Sequence, residues 1–261
     1  MIRLVYLLRR REEQHDLAEF QRYWREVHGP LVASHATALG IRRYVQVHAV
    51  DDPVNAAMRE ARGGMEPGYD GVAELWFDSE EVLAMDLATE AGQAAAAALL
   101  EDERRFIDLA RSPLWLAVEY PQVNPPGEAL FATPRSSWQK LYFPLRLHPE
   151  LEFEQGQRYW RTHHGPLIRS QAQAAGIHRY QQVHRLEGAL EAALREARGT
   201  EVEAYDGHAE VWVDRGIARS GAEAQRANAR AIEDEAKFID FARSSMWMGK
   251  ELVFVDRFGW D

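Results

Sequence analysis

The chain has 261 residues, a formal net charge of −10 and no cysteine. An acidic surface repels phosphate backbones, which argues against nucleic-acid binding, and the lack of cysteine removes disulfide frameworks and thiolate metal sites. The apolar run in MIRLVYLLRRR is too short for a signal segment and its arginines follow it, while AAAAALL at 94–100 is bounded by Gln93 and Glu101 and cannot span a bilayer, so a soluble, cytoplasmic protein without membrane contact is expected.

In chain order, IRLVYLL (2–8) is a short β-rich run. Asp16 with Glu19 three positions on fits a capping box. Phe20, Tyr23, Trp24, Val27, His28 and Leu31 then recur at helical spacing and form one apolar face. Pro30 suits the first turn of a continuing helical piece and Gly40 its end. RRYVQVHAV (42–50) alternates like a strand, as does GVAELWF (71–77) after an Asp-Gly turn. Residues 79–110 read as helix and SPLWLAVEY (112–120) as a last strand. The plan is βαββαβ, the ferredoxin-like order.

The same plan returns. YWREVHGPL from Tyr23 reappears as YWRTHHGPL from Tyr159, 136 residues later. At that spacing Gly40-Ile41 repeats as Gly176-Ile177, Arg59-Glu60-Ala61-Arg62-Gly63 as Arg195-Glu196-Ala197-Arg198-Gly199, and Tyr69-Asp70-Gly71 as Tyr205-Asp206-Gly207. Near the alanine-rich stretch the second copy loses four residues. Asp102-Glu103 and Phe106-Ile107-Asp108 still recur as Asp234-Glu235 and Phe238-Ile239-Asp240. This is a tandem duplication, and two copies are too few for a solenoid. Two similar units packed as a pseudo-dimer are expected, with repeat one at 1–120, a Pro-rich linker at 121–137 and repeat two at 138–261.

Period-two spacing puts Tyr44, Gln46 and His48 on one strand face, repeated as Tyr180, Gln182 and His184; this polar triplet suggests a wet pocket. On the next strand Glu74 and Trp76 share a face, repeated as Glu210 and Trp212. A carboxylate on a central strand needs a partner. An ion pair with Arg43 or Arg179 is expected, with orientation of a pocket histidine as the alternative. His28 ends the apolar helix face and points to the sheet, where it is either a satisfied core residue or a general acid or base. If the polar strand face meets this helix, His28, Tyr44 and His48 converge, as do His164, Tyr180 and His184. Two histidines with Glu74 would also make a two-His-one-carboxylate iron site, though the spacing is no recognised metal signature. Tyr69-Asp70-Gly71 reads as a turn, and Asp102-Glu103-x-x-Phe106-Ile107-Asp108 as a structural helix, with reach of Asp102 and Asp234 into a pocket as an alternative that nothing in the spacing requires.

Taken in order, Y-W-R-x-x-H-G-P-L, G-I-x-R-Y-x-Q-x-H, Y-D-G-x-A-E-x-W and D-E-x-x-F-I-D resemble the EthD family, named for a protein of ethyl tert-butyl ether degradation. The resemblance covers both copies outside the linker and the tail FGWD (258–261). It implies the dimeric α+β barrel superfamily, here as two ferredoxin-like βαββαβ repeats fused in one chain, so that the barrel is complete without a second chain; a further homodimer is left open. It also implies a pocket between helices and sheet, lined by His, Tyr and Trp. Carried over by position, the catalytic candidates are His28, His164, Tyr44, Tyr180, His48 and His184. The substrate-binding candidates are Tyr23, Trp24, Tyr159, Trp160, Gln46, Gln182, Glu74, Glu210, Trp76 and Trp212. The second copy departs at Gly156 for Phe20 and at His163 for Val27, which predicts a wider, more polar second pocket. The leading expectation is an enzyme without metal or other cofactor, of lyase or isomerase type, moving a proton near a carbonyl of a small apolar oxygenated or aromatic metabolite. The alternatives are a non-catalytic small-molecule-binding accessory protein and a haem- or oxygen-dependent monooxygenase-like enzyme.

Overall fold

The computed structural model describes residues 1–125, 131–217 and 221–258. Part of the expected linker (126–130) and most of the FGWD tail (259–261) lie outside the described residues.

Repeat one contributes strands β1 (Ile2–Leu8), β2 (Arg43–Ala49), β3 (Gly71–Phe77) and β4 (Leu114–Val123). Repeat two contributes β5 (Trp138–Leu145), β6 (Ile177–Leu186), β7 (Gly207–Asp214) and β8 (Trp247–Asp256). Each half has the ferredoxin-like strand order, β4-β1-β3-β2 and β8-β5-β7-β6. The halves join at both edges, β2 to β8 and β4 to β6, and close one antiparallel eight-stranded barrel. Closure leaves no sheet edge unpaired. The fused α+β barrel expected from the duplication is therefore the fold.

Helices pack outside the barrel. Each repeat begins with a helix, α1 (Leu17–Tyr23) or α6 (Phe153–Tyr159), which runs through a π-helical turn (Trp24–His28 or Trp160–His164) into α2 (Gly29–His35) or α7 (Gly165–Ala175). The Asp16 carboxylate accepts from the Glu19 amide at 2.8 Å and Glu19 returns the bond at 3.2 Å, the capping box read from the sequence. Two helices absent from the sequence reading follow the second strand of each half, α3 (Val54–Glu60) and α8 (Ala189–Arg198). The expected 79–110 helix is two helices, α4 (Glu80–Ala88) and α5 (Glu90–Phe106), divided where Thr89 takes an extended conformation and caps α5. Repeat two has α9 (Ala222–Glu235) as the counterpart of α5, and among the described residues nothing corresponds to α4.

Alternation along the strands sorts side chains between two environments. Tyr44 and Gln46 face the helices, whereas Val45 and Val47 face the barrel axis with Val5, Leu7, Trp115 and Trp247. The axis also holds charge. Arg3, Glu74, Lys140 and Glu210 are each at most 1% exposed. The Arg3 guanidinium bonds Glu74, Glu210 and Glu119, and the Lys140 ammonium lies 2.7 Å from Glu74 and 2.8 Å from Glu210. Each buried charge thus has opposite charges in contact, the condition under which charges survive in a low-dielectric interior. The expected partners of Glu74 and Glu210 are corrected: Arg43 pairs with Asp256 at 3.1 Å and Arg179 with Gln181 at 2.9 Å.

Candidate functional site

Between the sheet and the helices of each repeat lies a cavity, about 290 Å³ in repeat one and about 590 Å³ in repeat two. His28, Trp24 and Tyr44 line the first; His164, Trp160 and Tyr180 line the second. The rest of each lining is mainly aliphatic, with Leu4, Leu8, Val32 and Leu99 in the first and Leu141, Leu145, Ile168 and Ile239 in the second.

The repeated His-Gly-Pro has a local cause. In the π-helical turn the Gly29 amide bonds back to the Trp24 carbonyl, which also accepts from the Gln46 side-chain amide at 2.9 Å. A Cβ on Gly29 would sit 2.9 Å from that amide and 2.4 Å from the Phe254 ring, so only glycine lets the helix approach the strand. Pro30 follows as the second residue of α2; lacking an N–H it makes no bond back along the helix, which suits the change of helical period at the π turn. A Cβ on Gly165 would likewise sit 2.6 Å from the Gln122 side chain and 3.0 Å from the Gln182 amide. The widened turn holds the histidine over the cavity, as π-helical segments often do at functional sites.

His28 Nδ1 lies 2.8 Å from the Asp102 carboxylate, and the Tyr23 hydroxyl donates to the same carboxylate at 2.6 Å. In repeat two His164 Nδ1 lies 2.9 Å from Asp234, and Tyr159 donates at 2.7 Å. Burial would raise the Asp102 carboxyl, but the hydrogen bonds from His28 and Tyr23 outweigh it and hold the group below the usual carboxylate range. Asp234 is held further down, chiefly by His164 and then by Tyr159 and Lys237. An ionised aspartate on Nδ1 fixes the proton there and leaves Nε2 as the acceptor of the neutral ring. Phe106 and Phe238 pack against the imidazoles at 5.1 and 5.3 Å between ring centres.

Tyr44 receives two hydrogen bonds, from Trp24 Nε1 at 3.2 Å and from Gln46 Nε2 at 2.9 Å. With its lone pairs engaged, the phenol proton is the part left to donate. Tyr180 repeats this with Trp160 at 3.2 Å and Gln182 at 3.1 Å. Burial pushes both phenols well above their ordinary range and keeps them protonated.

The remaining sequence candidates fall elsewhere. His48 and His184 are outside the cavity linings. They stack on Trp24 and Trp160 at 4.6 and 4.3 Å, and their Nε2 atoms lie 2.8 and 3.2 Å from the Gln46 and Gln182 carbonyl oxygens. Burial lowers both imidazoles to about 3, so they are neutral at physiological pH. The expected convergence therefore includes His28 and Tyr44 but leaves His48 behind the indole. Glu74, Trp76, Glu210 and Trp212 face the barrel axis, on the other side of the sheet from His28, and the proposed iron triad does not form. Among the described residues Glu74, His208 and Glu210 bring ligand-type atoms within 4.8 Å, but Arg3 and Lys140 already bond these carboxylates. Gly156 and His163 do not line the larger cavity: Leu147 crowds Gly156, and His163 is exposed and stacked on Tyr159. The difference in size follows α4 instead, whose Leu83 and Leu87 fill repeat one.

Sequence reasoning left two groups without a place in the site. Asp102 and Asp234 lie in the motif read as structural. The adjacent Glu103 and Glu235 bind arginines from the opposite repeat, Arg198 at 2.9 Å to Glu103 and Arg62 at 2.7 Å to Glu235. Leu194, Ala197 and Arg198 of α8 line the repeat-one cavity, and Val54, Met58 and Arg62 in and beyond α3 line the repeat-two cavity. Each cavity is thus completed by the other half. The signal was the repeated Arg-Glu-Ala-Arg-Gly, which no single repeat explains.

No curated protein matches the chain. Among solved structures, a protein from Fusobacterium nucleatum with a provisional monooxygenase name aligns over 100% of this chain and 96% of its own, with 8% identity and a TM-score of 0.51. One from Lactobacillus acidophilus, named in the same way, aligns over 98% and 96%, with 8% identity and a TM-score of 0.46. An EthD family protein from Bacillus halodurans is 20% identical; the alignment covers 50% of this chain and 99% of that one, with a TM-score of 0.31. The EthD domain family model matches residues 12–110 and again 148–242, the two stretches that hold His28 with Asp102 and His164 with Asp234. The chain belongs to the EthD family and carries two EthD domains in one polypeptide.

Proposed function

We propose that the protein is an acid–base enzyme acting in its helix–sheet cavities on an apolar metabolite that carries an enolisable carbonyl group. The observation that carries this reading is the duplicated histidine–aspartate pair on an apolar cavity beside a tyrosine with both acceptor positions filled. Nε2 of His28 or His164 takes a proton from carbon next to the substrate carbonyl, and the aspartate on Nδ1 stabilises the imidazolium that forms. The Tyr44 or Tyr180 hydroxyl donates to the oxygen as negative charge develops there. Returning the proton at another atom completes an isomerisation, cyclisation or dehydration; loss of carbon dioxide from a β-keto acid uses the same oxyanion donor. The aliphatic walls select the apolar body of the substrate. The monooxygenase names belong to neighbours at 8% identity, and that likeness extends to the fold alone.

The test is exchange of the α-hydrogens of 2-tetralone in D2O, followed by NMR. Wild-type protein should accelerate exchange. The His28→Gln/His164→Gln double variant should lose about 10²–10⁴ of that acceleration, the usual contribution of a positioned general base. The two single variants report which cavity works. Asp102→Asn and Asp234→Asn should lower the rate at unchanged probe affinity. An unchanged rate in the double histidine variant would return both histidines to a packing role.

A further inference from the structure

The two cavities keep the same histidine, tyrosine and inserted arginine; Asp214, Arg215 and Asn228 line the second alone, and Tyr6 is the polar group that the first alone has. Tyr6 on β1 stands opposite Ala73, and Phe143 on β5 stands opposite Ala209, so the two are equivalent in register. Tyr6 lines the first cavity and Phe143 the second. The arginine from the other repeat keeps its place at both, 5.3 Å from the Tyr6 ring and 5.4 Å from the Phe143 ring. What changes is a hydroxyl.

That hydroxyl makes no well-formed hydrogen bond, although Tyr6 is only 4% exposed; the Arg198 guanidinium beside it can only donate, so the phenol proton is left without an acceptor. Buried polar groups in native proteins are nearly always paired, and one left alone on a cavity wall calls for a partner that enters the cavity. Burial also keeps the phenol protonated, so it can donate. Arg198 is held bidentate by Glu103 and presents no free charge that would demand an anion.

The position of the hydroxyl limits the ligand. Tyr6 lies on β1, β3 lies next to it, and Tyr44 lies on β2 beyond. Neighbouring strands are about 4.8 Å apart, so the Tyr6 and Tyr44 backbones are separated by roughly 10 Å across the cavity floor. The first cavity therefore has a tyrosine donor at each side, with His28, Glu103 and Arg198 as its other charged or titratable lining. The second, about twice as large, has the Tyr180 donor alone of the two.

Resting on the reading of the cavities as binding sites, we infer that they take different ligands. The repeat-one cavity selects a flat apolar compound with hydrogen-bonding oxygens at both ends, and Tyr6 recognises the far one. The repeat-two cavity takes a bulkier compound and offers it no hydrogen bond at the Phe143 position. Tyr6 and its counterpart Phe143 are the specificity-determining pair.

The full-length chain is titrated calorimetrically with 2,6-dihydroxynaphthalene and with 2-naphthol, and crystal complexes assign the occupied cavity. In the wild type the diol should bind the repeat-one cavity about tenfold more tightly than 2-naphthol, the worth of one hydrogen bond in an apolar site. Tyr6→Phe should erase this preference while leaving 2-naphthol affinity unchanged. Its melting temperature should change little, because no protein group accepts the lost hydroxyl's proton. Phe143→Tyr should create the preference in the repeat-two cavity. Equal diol affinity in wild type and Tyr6→Phe, or a diol seated with both oxygens away from Tyr6, overturns the inference and leaves the cavities as binding sites. Failure of both compounds to enter either cavity overturns both readings.

Discussion

Lowering the pH should destabilise this protein through histidines that take no part in the proposed chemistry. His48 and His184 lie behind the cavity tryptophans, and His208 stands inside the barrel; burial lowers all three imidazoles to about 3. In the unfolded chain each returns to about 6.5. Their folded values are depressed, so between about pH 6.5 and 3 the unfolded state binds more protons. Stability must then fall as pH falls through that window. From pH 7 to pH 5 each histidine costs about 2 kcal/mol, at 1.36 kcal/mol per pH unit, or about 6 kcal/mol for the three. Total stabilities are about 5–15 kcal/mol, so this loss amounts to between about two fifths and all of the stability. Asp102 and Asp234 add to the loss only at lower pH, because their folded values are also depressed and their contribution vanishes as they protonate. Urea unfolding followed by tryptophan fluorescence at pH 7, 6 and 5 measures the slope, and His48→Gln should flatten it by about a third whatever it does to stability at pH 7. Glu74 and Asp206, whose folded values are raised by burial, act in the opposite direction over this range, so the deciding result is the difference: a slope that His48→Gln leaves unchanged would mean that this imidazole accepts a proton in the folded state, and the burial argument would fail.

Arg198→Met should destabilise the protein by about 3–5 kcal/mol by leaving Glu103 buried without its partner, and adding Glu103→Leu should recover most of that loss, as read from urea midpoints. A fragment of residues 1–125 keeps β1 to β4 but loses the partners of β2 and β4, so it should form a dimer that rebuilds the barrel; a folded monomer by sedimentation would refute the edge-pairing account.

The duplication made most of the fold readable before any coordinates. The alternation in 42–50 and 71–77 and the capping box at Asp16 are local signals, and a ferredoxin-like half follows from their order. What escaped was pairing at long range. Arg3 and Lys140 sit in or beside runs that read as apolar, and only closure of the barrel brings them onto Glu74 and Glu210. Asp102 is 74 residues from His28, so no spacing rule connects them. His48 shares a strand face with Tyr44, as alternation requires, yet Trp24 stacks across it and takes its place in the cavity wall. Strand period gives the face of the sheet; it does not say which neighbour on the opposite helix will cover a given residue. The helices α3 and α8 went unread because their apolar faces complete the other repeat.

That exchange of helices has a genetic consequence. In a dimer of identical chains, any substitution in a cavity appears twice, so a change that suits one ligand alters both sites. Here each wall belongs to a separate stretch of one coding sequence. A codon change at position 6 leaves position 143 untouched, and one at position 62 leaves 198 as it was. Fusion thus releases the two halves from having to remain identical, while the crossed arginines still oblige them to remain together.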